Sequence, residues 1–322
     1  MMPSVQGLSA SSLKDLISEL GDSKNSNVLS KIDPDTLRTI SKRFLRLAKG
    51  GTDEEVTGEE SSCVRLFVAG SKTHVGKTTI CLGILGTLLK MGYRSSELAY
   101  IKPATQCEAP DLLNIWCKKM GVEFVGSTNA PLVFKKGFTR SFLDGKENTS
   151  KHWLRSIRGT VDRLCKRRKF VLIDGVGFTA VGSIVGVSNA DVAKASRAPV
   201  CIVCPSGVGG AVDSFNLNAT FFEHHGVPVL GGIFNFGRVD GYYSHERCGE
   251  YIRKWFSIQR NKGCCFGVVP TFASLDGLRE KVKDTDKETL NTRASENISH
   301  VERYVKIREL LDCAADACDS VS

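Results

Sequence analysis

Residues 64–79 read "VRLFVAGSKTHVGKTT": seven apolar-biased residues, a short glycine- and lysine-bearing turn, then the start of a helical pattern, "KTTICLGILGTLLKM". A buried strand that turns directly into a buried helix through Gly76-Lys77-Thr78 confines the chain to a small set of parallel α/β folds. The turn has the chemistry of a phosphate loop. Backbone N–H groups at a helix N-terminus point at an anion and the helix dipole favours negative charge there. Lys77 is the residue expected to neutralise β- and γ-phosphate charge. The Thr78 hydroxyl is expected on Mg²⁺.

The rest of the chain supports that fold. Five more apolar runs follow, "ELAYIKP", "RKFVLIDG", "APVCIVCP", "VPVLGGIFN" and "GCCFGVVP", with helical stretches between them. Such runs predict strands buried on both faces. Right-handed crossovers then give a doubly wound α/β domain with a mostly parallel sheet. It is expected over residues 63–275. Residues 1–62 read as a helical N-terminal extension with an acidic linker, "GTDEEVTGEESS". The second helix there is capped at Asp33 or Asp35, carries an apolar stripe (Leu37, Ile40, Phe44, Leu45, Leu47) and stops at Gly50-Gly51. Residues 276–322 read as a charged, helical C-terminal extension whose apolar face is Ile298, Val301, Val305, Ile307 and Leu310.

Within the loop, the pattern GxxxxGK(S/T) is broken only at Ser71, a small residue in the place of the first glycine. Ser71, Thr73, His74, Val75, Gly76, Lys77, Thr78 and Thr79 are the expected nucleotide contacts. Lys72 falls where the deviant phosphate loops of chromosome-partition and cell-division-site ATPases, of pattern KGGxGKT, carry their signature lysine. Here the following glycines are Thr73 and His74. Lys72 is open to two readings, a charge reaching across a nucleotide-sandwich homodimer or a solvated loop lysine. The run "KFVLIDGVG" places Asp174 at a strand end with Gly175 and Gly177 after it. This resembles a Walker B position, with Asp174 on Mg²⁺ directly or through water; the alternative is a strand-end cap.

The order of these motifs resembles dethiobiotin synthetase and its relatives over roughly residues 64–275. That family carries GTDTEVGKT where this chain has "GSKTHVGKT", a Lys-Pro where it has "YIKPATQ", and Glu-Gly-x-Gly where it has "DGVG". A further stretch resembles "NADVAKASRAPVCIVCPSGVGGAVDSFNLNATFFEHHGVPVLGGIFN". The resemblance implies ATP and Mg²⁺ as cofactors and a small-molecule substrate carrying an amine or a carboxylate. The implied reaction activates a carboxylate or carbamate by phosphoryl transfer and closes a C–N bond. It implies that Lys102 stands beside the reacting group, that Asp111 is a metal-binding aspartate or otherwise a helix-start residue, and that Asn235 reads the adenine edge or otherwise ends a strand. Departures fall at the substrate end: His74 replaces a glutamate, Gln106 a serine and Phe178 a glycine. Two other readings stay open, a nucleotide-switch ATPase acting through dimerisation and a non-catalytic nucleotide-binding module.

Composition excludes little but orders the alternatives. The net charge of +9 suits anionic small molecules, and no nucleic-acid motif accompanies the dispersed basic residues. No apolar stretch approaches the about 18–20 residues of a membrane span. Asp15, Glu19 and Asp22 argue against a transit peptide. The 12 cysteines show no zinc spacing. Cys201 and Cys204, and Cys264 and Cys265, lie in apolar strand runs and are read as core thiols. A reducing compartment, the cytoplasm, is expected.

Overall fold

The computed structural model describes residues 63–106, 111–126, 129–260, 263–272 and 285–321. The expected N-terminal helices and acidic linker lie outside the described residues. All six apolar runs form strands: β1 (Val64–Gly70), β2 (Leu98–Ile101), β6 (Phe170–Asp174), β7 (Val200–Pro205), β8 (Val229–Gly237) and β9 (Cys264–Pro270). A seventh, β4 (Glu123–Val125), adds to one edge, and the two-residue strands β3 (Ala104–Thr105) and β5 (Leu132–Val133) pair separately. The main sheet runs β4-β2-β6-β1-β7-β8-β9, and every neighbouring pair is parallel. β6 is inserted between β2 and β1, and β7 lies on the other side of β1. The carboxyl end of β1 therefore opens at the switch point of the winding, where ligands bind in such sheets.

β1 is central because both its faces are apolar. Leu66 and Val68 enter one core, while Phe67 and Ala69 enter the other. Over the first face lie α1 (Lys77–Lys90), α2 (Leu112–Met120), α8 (Lys287–Tyr304) and α9 (Ile307–Val321). The second face is covered by α4 (Ser150–Cys165), α5 (Asn189–Ala195), α6 (Gly209–His224) and α7 (His245–Trp255), with the short α3 (Phe138–Leu143) beside them.

The C-terminal tract is two helices rather than one. α8 ends at Tyr304 because Val305 turns extended (φ −115, ψ 129) and bridges Gly267 of β9. The Lys306 N–H donates to the Phe266 carbonyl at 2.8 Å, covering part of the sheet edge. Leu290, Ala294, Ile298, Val301, Ile307, Leu310 and Ala314 share one core with α1. α8 reaches α1 at backbone contact distance because Gly83 and Gly86 face it. A Cβ on Gly83 would stand 2.3 Å from Val301, and one on Gly86 would stand 2.4 Å from Ile298.

That close approach is testable. Gly83→Val overpacks the α1–α8 seam and should cost about 1–3 kcal/mol, read in denaturant unfolding of the whole chain. Met91→Leu, at the edge of the same core, should leave the midpoint nearly unchanged.

Candidate functional site

The loop after β1 is built to keep its backbone bare. Gly70 has no room for a side chain: a Cβ would lie 2.9 Å from the Lys72 carbonyl and 3.0 Å from that of Gly177. The Ser71 N–H continues the ladder to Val203 O at 2.9 Å. His74 (φ 59) and Gly76 (φ 80) both adopt left-handed backbone, and between them Val75 is plugged into the core at 1% exposure. Gly76 caps α1 with no side-chain hydrogen bond, and no acid sits in the first turn. The first-turn N–H groups of α1 are thus left for an anion.

Three side chains hold this loop from behind. Asn235, 5% exposed, donates its Nδ2 to the Val75 carbonyl at 3.0 Å. The Thr79 hydroxyl donates to Gly76 O at 2.7 Å. Asn297 of α8 donates to Thr79 O at 2.9 Å. Asn235 is not a strand end, since β8 continues to Gly237 through a register irregularity that leaves Phe236 at φ 62. Gly76 closes on it so tightly that a Cβ there would meet Asn235 Nδ2 at 2.3 Å.

The loop after β6 lies beside the first. Lys77 Nζ donates to Gly177 O at 3.3 Å, and Thr179 Oγ1 to Gly70 O at 3.4 Å. Asn189, at the start of α5 and 2% exposed, clamps the turn. Its Nδ2 donates to Val176 O at 2.7 Å and Phe178 O at 2.6 Å, and its Oδ1 accepts from Val176 N at 3.0 Å.

Charge is concentrated at the ends of β2 and β6. Asp174 is 1% exposed; its Oδ2 accepts from the Tyr100 hydroxyl at 2.7 Å and lies 3.8 Å from Lys102 Nζ. Lys102 also pairs with Asp111 Oδ2. Asp111 Oδ1 accepts from Asn114 N at 3.0 Å and so caps α2. Asp111 is thus the helix-start residue that the sequence allowed, and it also faces the site through Lys102. Burial works against the Lys102 ammonium, but the carboxylates of Asp174 and Asp111 outweigh it and hold its pKa above the ordinary value. Burial, then Asp174, pushes the Tyr100 phenol well above its usual range, so it stays a donor.

Mg²⁺ fits these residues. Asp174 Oδ1 is buried and accepts no hydrogen bond among the described residues, an arrangement that is costly without a cation. Among the described residues no cluster of three or more His, Cys, Asp or Glu could hold a metal unaided. That suits an ion held by one carboxylate, a hydroxyl and phosphate oxygens.

The structure therefore gathers Lys77, Thr78, Thr79, Lys102, Asp111, Asp174 and Asn235 around the carboxyl ends of β1, β2, β6 and β8. Lys72, Thr73 and His74 are exposed on the outer side of the loop. Tyr100, Asn189 and Asn297 were not singled out in the sequence. Asn189 lies within the stretch that resembles dethiobiotin synthetase, but Tyr100 reads as a strand residue and Asn297 as one polar residue of a charged helix.

A central parallel sheet, a phosphate loop at its switch point and a buried aspartate on the adjacent strand define a P-loop nucleotide-binding protein. A family model described as "AAA domain" matches residues 64–278, and the chain belongs to that family. It is a dethiobiotin-synthetase-like P-loop ATPase. It is 24% identical over 219 residues to the ATP-dependent dethiobiotin synthetase of Clostridium acetobutylicum, covering 64% of this chain and 85% of that enzyme. It is 26% identical over 179 residues to the enzyme named alike from Aquifex aeolicus, covering 53% and 76%. Among solved structures, a plasmid partition protein from Borrelia burgdorferi bound to AMPPNP is 16% identical, with 75% of this chain and 98% of that one covered and a TM-score of 0.44. A nucleotide-binding protein from Archaeoglobus fulgidus in complex with ADP is 15% identical, with 74% and 88% covered and a TM-score of 0.38. No helix among the described residues is long and apolar enough to cross a membrane.

Asn235 gives the sharpest test of the loop. Asn235→Ala leaves the buried Val75 carbonyl without its donor and should cost about 1–3 kcal/mol. Nucleotide affinity, measured by calorimetry, should fall along with the unfolding midpoint.

Proposed function

We propose that the chain is an ATP- and Mg²⁺-dependent enzyme that transfers the γ-phosphoryl group to a carboxylate or carbamate. An amine on the same small molecule then displaces phosphate and closes a C–N bond. The observation that carries this reading is Lys102. A switch or a simple nucleotide holder needs the loop and Asp174, whereas a second lysine held charged beside Asp174 supplies positive charge for a second anionic reactant.

The residues have distinct tasks. The N–H groups of the first turn of α1 cradle the phosphates, and Lys77 exchanges the Gly177 carbonyl for phosphate oxygens. Thr78 and Asp174 would hold Mg²⁺, which would supply charge compensation to the phosphates. Lys102 orients the acceptor oxyanion and stabilises charge as phosphate is transferred and later expelled. Positioning and charge compensation carry most of such a reaction. Asp111 keeps Lys102 in place, and Asn235 both supports the loop and offers its amide at the adenine edge.

His74, Gln106 and Phe178 are exposed where the relatives carry glutamate, serine and glycine. The substrate is therefore an amine- and carboxylate-bearing molecule whose shape differs from theirs. Among the described residues, exposed Lys72 favours a homodimeric switch.

Phosphate release by the whole chain with ATP and Mg²⁺ separates the readings. Release should depend on an added diamino acid with bicarbonate, or on a metabolite of the same chemistry. Lys77→Ala and Lys102→Ala should each lower kcat/KM by about 10²–10³-fold. Lys72→Ala should leave substrate-dependent release unchanged. Hydrolysis indifferent to small molecules but abolished with dimerisation by Lys72→Ala would establish the switch. ATP that stays intact for hours with every amine tried would establish the binding module.

A further inference from the structure

β9 is the last strand of the sheet, and its outer edge floors a cleft of about 320 Å³ between α7 and the junction of α8 with α9. α7 contributes His245, Glu246 and Arg253, and the junction contributes Arg303, Tyr304 and Lys306. None of these belongs to the phosphate loop or to the ends of β2 and β6. Glycines shape the cleft. His245, Gly249 and Arg253 stand four residues apart and so share one face of α7. Glycine is a poor helix former, but Gly249 has a packing reason to be there: a Cβ would lie 3.0 Å from Arg253 Nη1 and 3.2 Å from Val268 Cγ2. The Arg253 guanidinium thus rests over bare backbone beside β9. Gly267 does the same for the other wall, since a Cβ there would stand 2.1 Å from the Tyr304 carbonyl oxygen. The His245 and Tyr304 rings meet edge to face at 5.2 Å and join the two walls.

The charges in the cleft are unbalanced. Arg253 and Arg303 pair with no carboxylate among the described residues. Arg303 lies instead over the Tyr304 ring, 5.5 Å from its centroid. Lys306 pairs with Glu309 at 2.9 Å, and both side chains meet solvent. Glu246 is the one acid among the lining residues, and it is exposed. Burial pushes the Cys265 thiol in the floor up to about 11, against the Gly267 N–H and then the charges of Arg253 and Lys306. Cations from both walls therefore act at the same floor.

We propose that this cleft is a second anion site, separate from the phosphate loop, that binds a small organic phosphate or diphosphate. Arg253, Arg303 and Lys306 take the phosphate oxygens, and the Tyr304 ring packs against the organic part. Two guanidinium forks and an ammonium suit a dianion that accepts several charge-assisted bonds at once. A single carboxylate would leave at least one of the three cations unused. The volume lies at the small end of small-molecule sites, which suits a metabolite rather than a polymer.

The test uses the whole 322-residue chain and inorganic pyrophosphate as the probe. Arginines are modified with phenylglyoxal, and the rate at each one is read by peptide mass spectrometry. Pyrophosphate at about 10 mM, roughly ten times a weak millimolar Kd, should slow modification of Arg253 and Arg303 about tenfold. Arg155 and Arg163, exposed on α4, should react as fast as in potassium chloride of equal ionic strength. Lys77→Ala should leave the protection intact, and Lys306→Glu should remove it. Rates at Arg253 and Arg303 unchanged by pyrophosphate would overturn the proposal, as would slowing shared by Arg155 and Arg163. So would protection that is lost in Lys77→Ala or kept in Lys306→Glu. The contrast between arginines is read within the unaltered chain and so does not depend on a variant folding.

Discussion

The register of β1 against β6 is the constraint on which the site depends. Val68 pairs with Asp174, and Phe67 with Ile173. Alternation then puts Leu66, Val68 and Leu172 on one face and Phe67, Ala69 and Ile173 on the other. Asp174 falls on the first face, where Tyr100 from β2 meets it. A slip of one residue would send Asp174 into the Phe67 core and an apolar side chain toward the phosphates. The register is held at both ends of β1. At one end Val64 N bonds to Lys169 O; at the other Gly175 N bonds to Val68 O at 3.0 Å.

Because the central strands are continuous apolar runs buried on both faces, much of the fold was legible. The six long strand runs, the phosphate loop and Asp174 were read from pattern and turn chemistry alone. β4 was not, since three residues beginning with a glutamate carry no usable periodicity. The break between α8 and α9 was not either. Val305 leaves the helix to pair with an edge strand whose position is a tertiary fact, while the local sequence remains helix-compatible. Asn235 shows a different limit. Its side-chain chemistry was visible, but its partner 160 residues away and the bulge that aims it were not. Tyr100 was hidden because a strand tyrosine packed against Phe124 is ordinary core; only its hydroxyl distinguishes it.

The electrostatics at the site are unbalanced on purpose of binding. Lys102 stands between two carboxylates, one of which keeps a buried oxygen without a donor. An additional cation relieves Asp174, and an additional anion then finds both Lys77 and Lys102 in reach. The two arrivals are mutually favourable, since each reduces the desolvation penalty of the other. The proposed metal–nucleotide complex would bring both charges at once. The outer loop face, with Lys72, Thr73 and His74 exposed, has no such closure. The loop is held from behind by buried amides, while Lys72 to His74 meet solvent.

β1 also runs from the phosphate loop to the opposite end of the sheet. Seven residues of strand span roughly 23 Å at about 3.3 Å per residue, with Cys63 before the first and Gly70 as the last. Between them every residue from Leu66 to Ala69 is fully buried, and Phe67 and Val68 are paired on both sides. Such a strand transmits displacement poorly unless its neighbours slide, because interiors are close-packed.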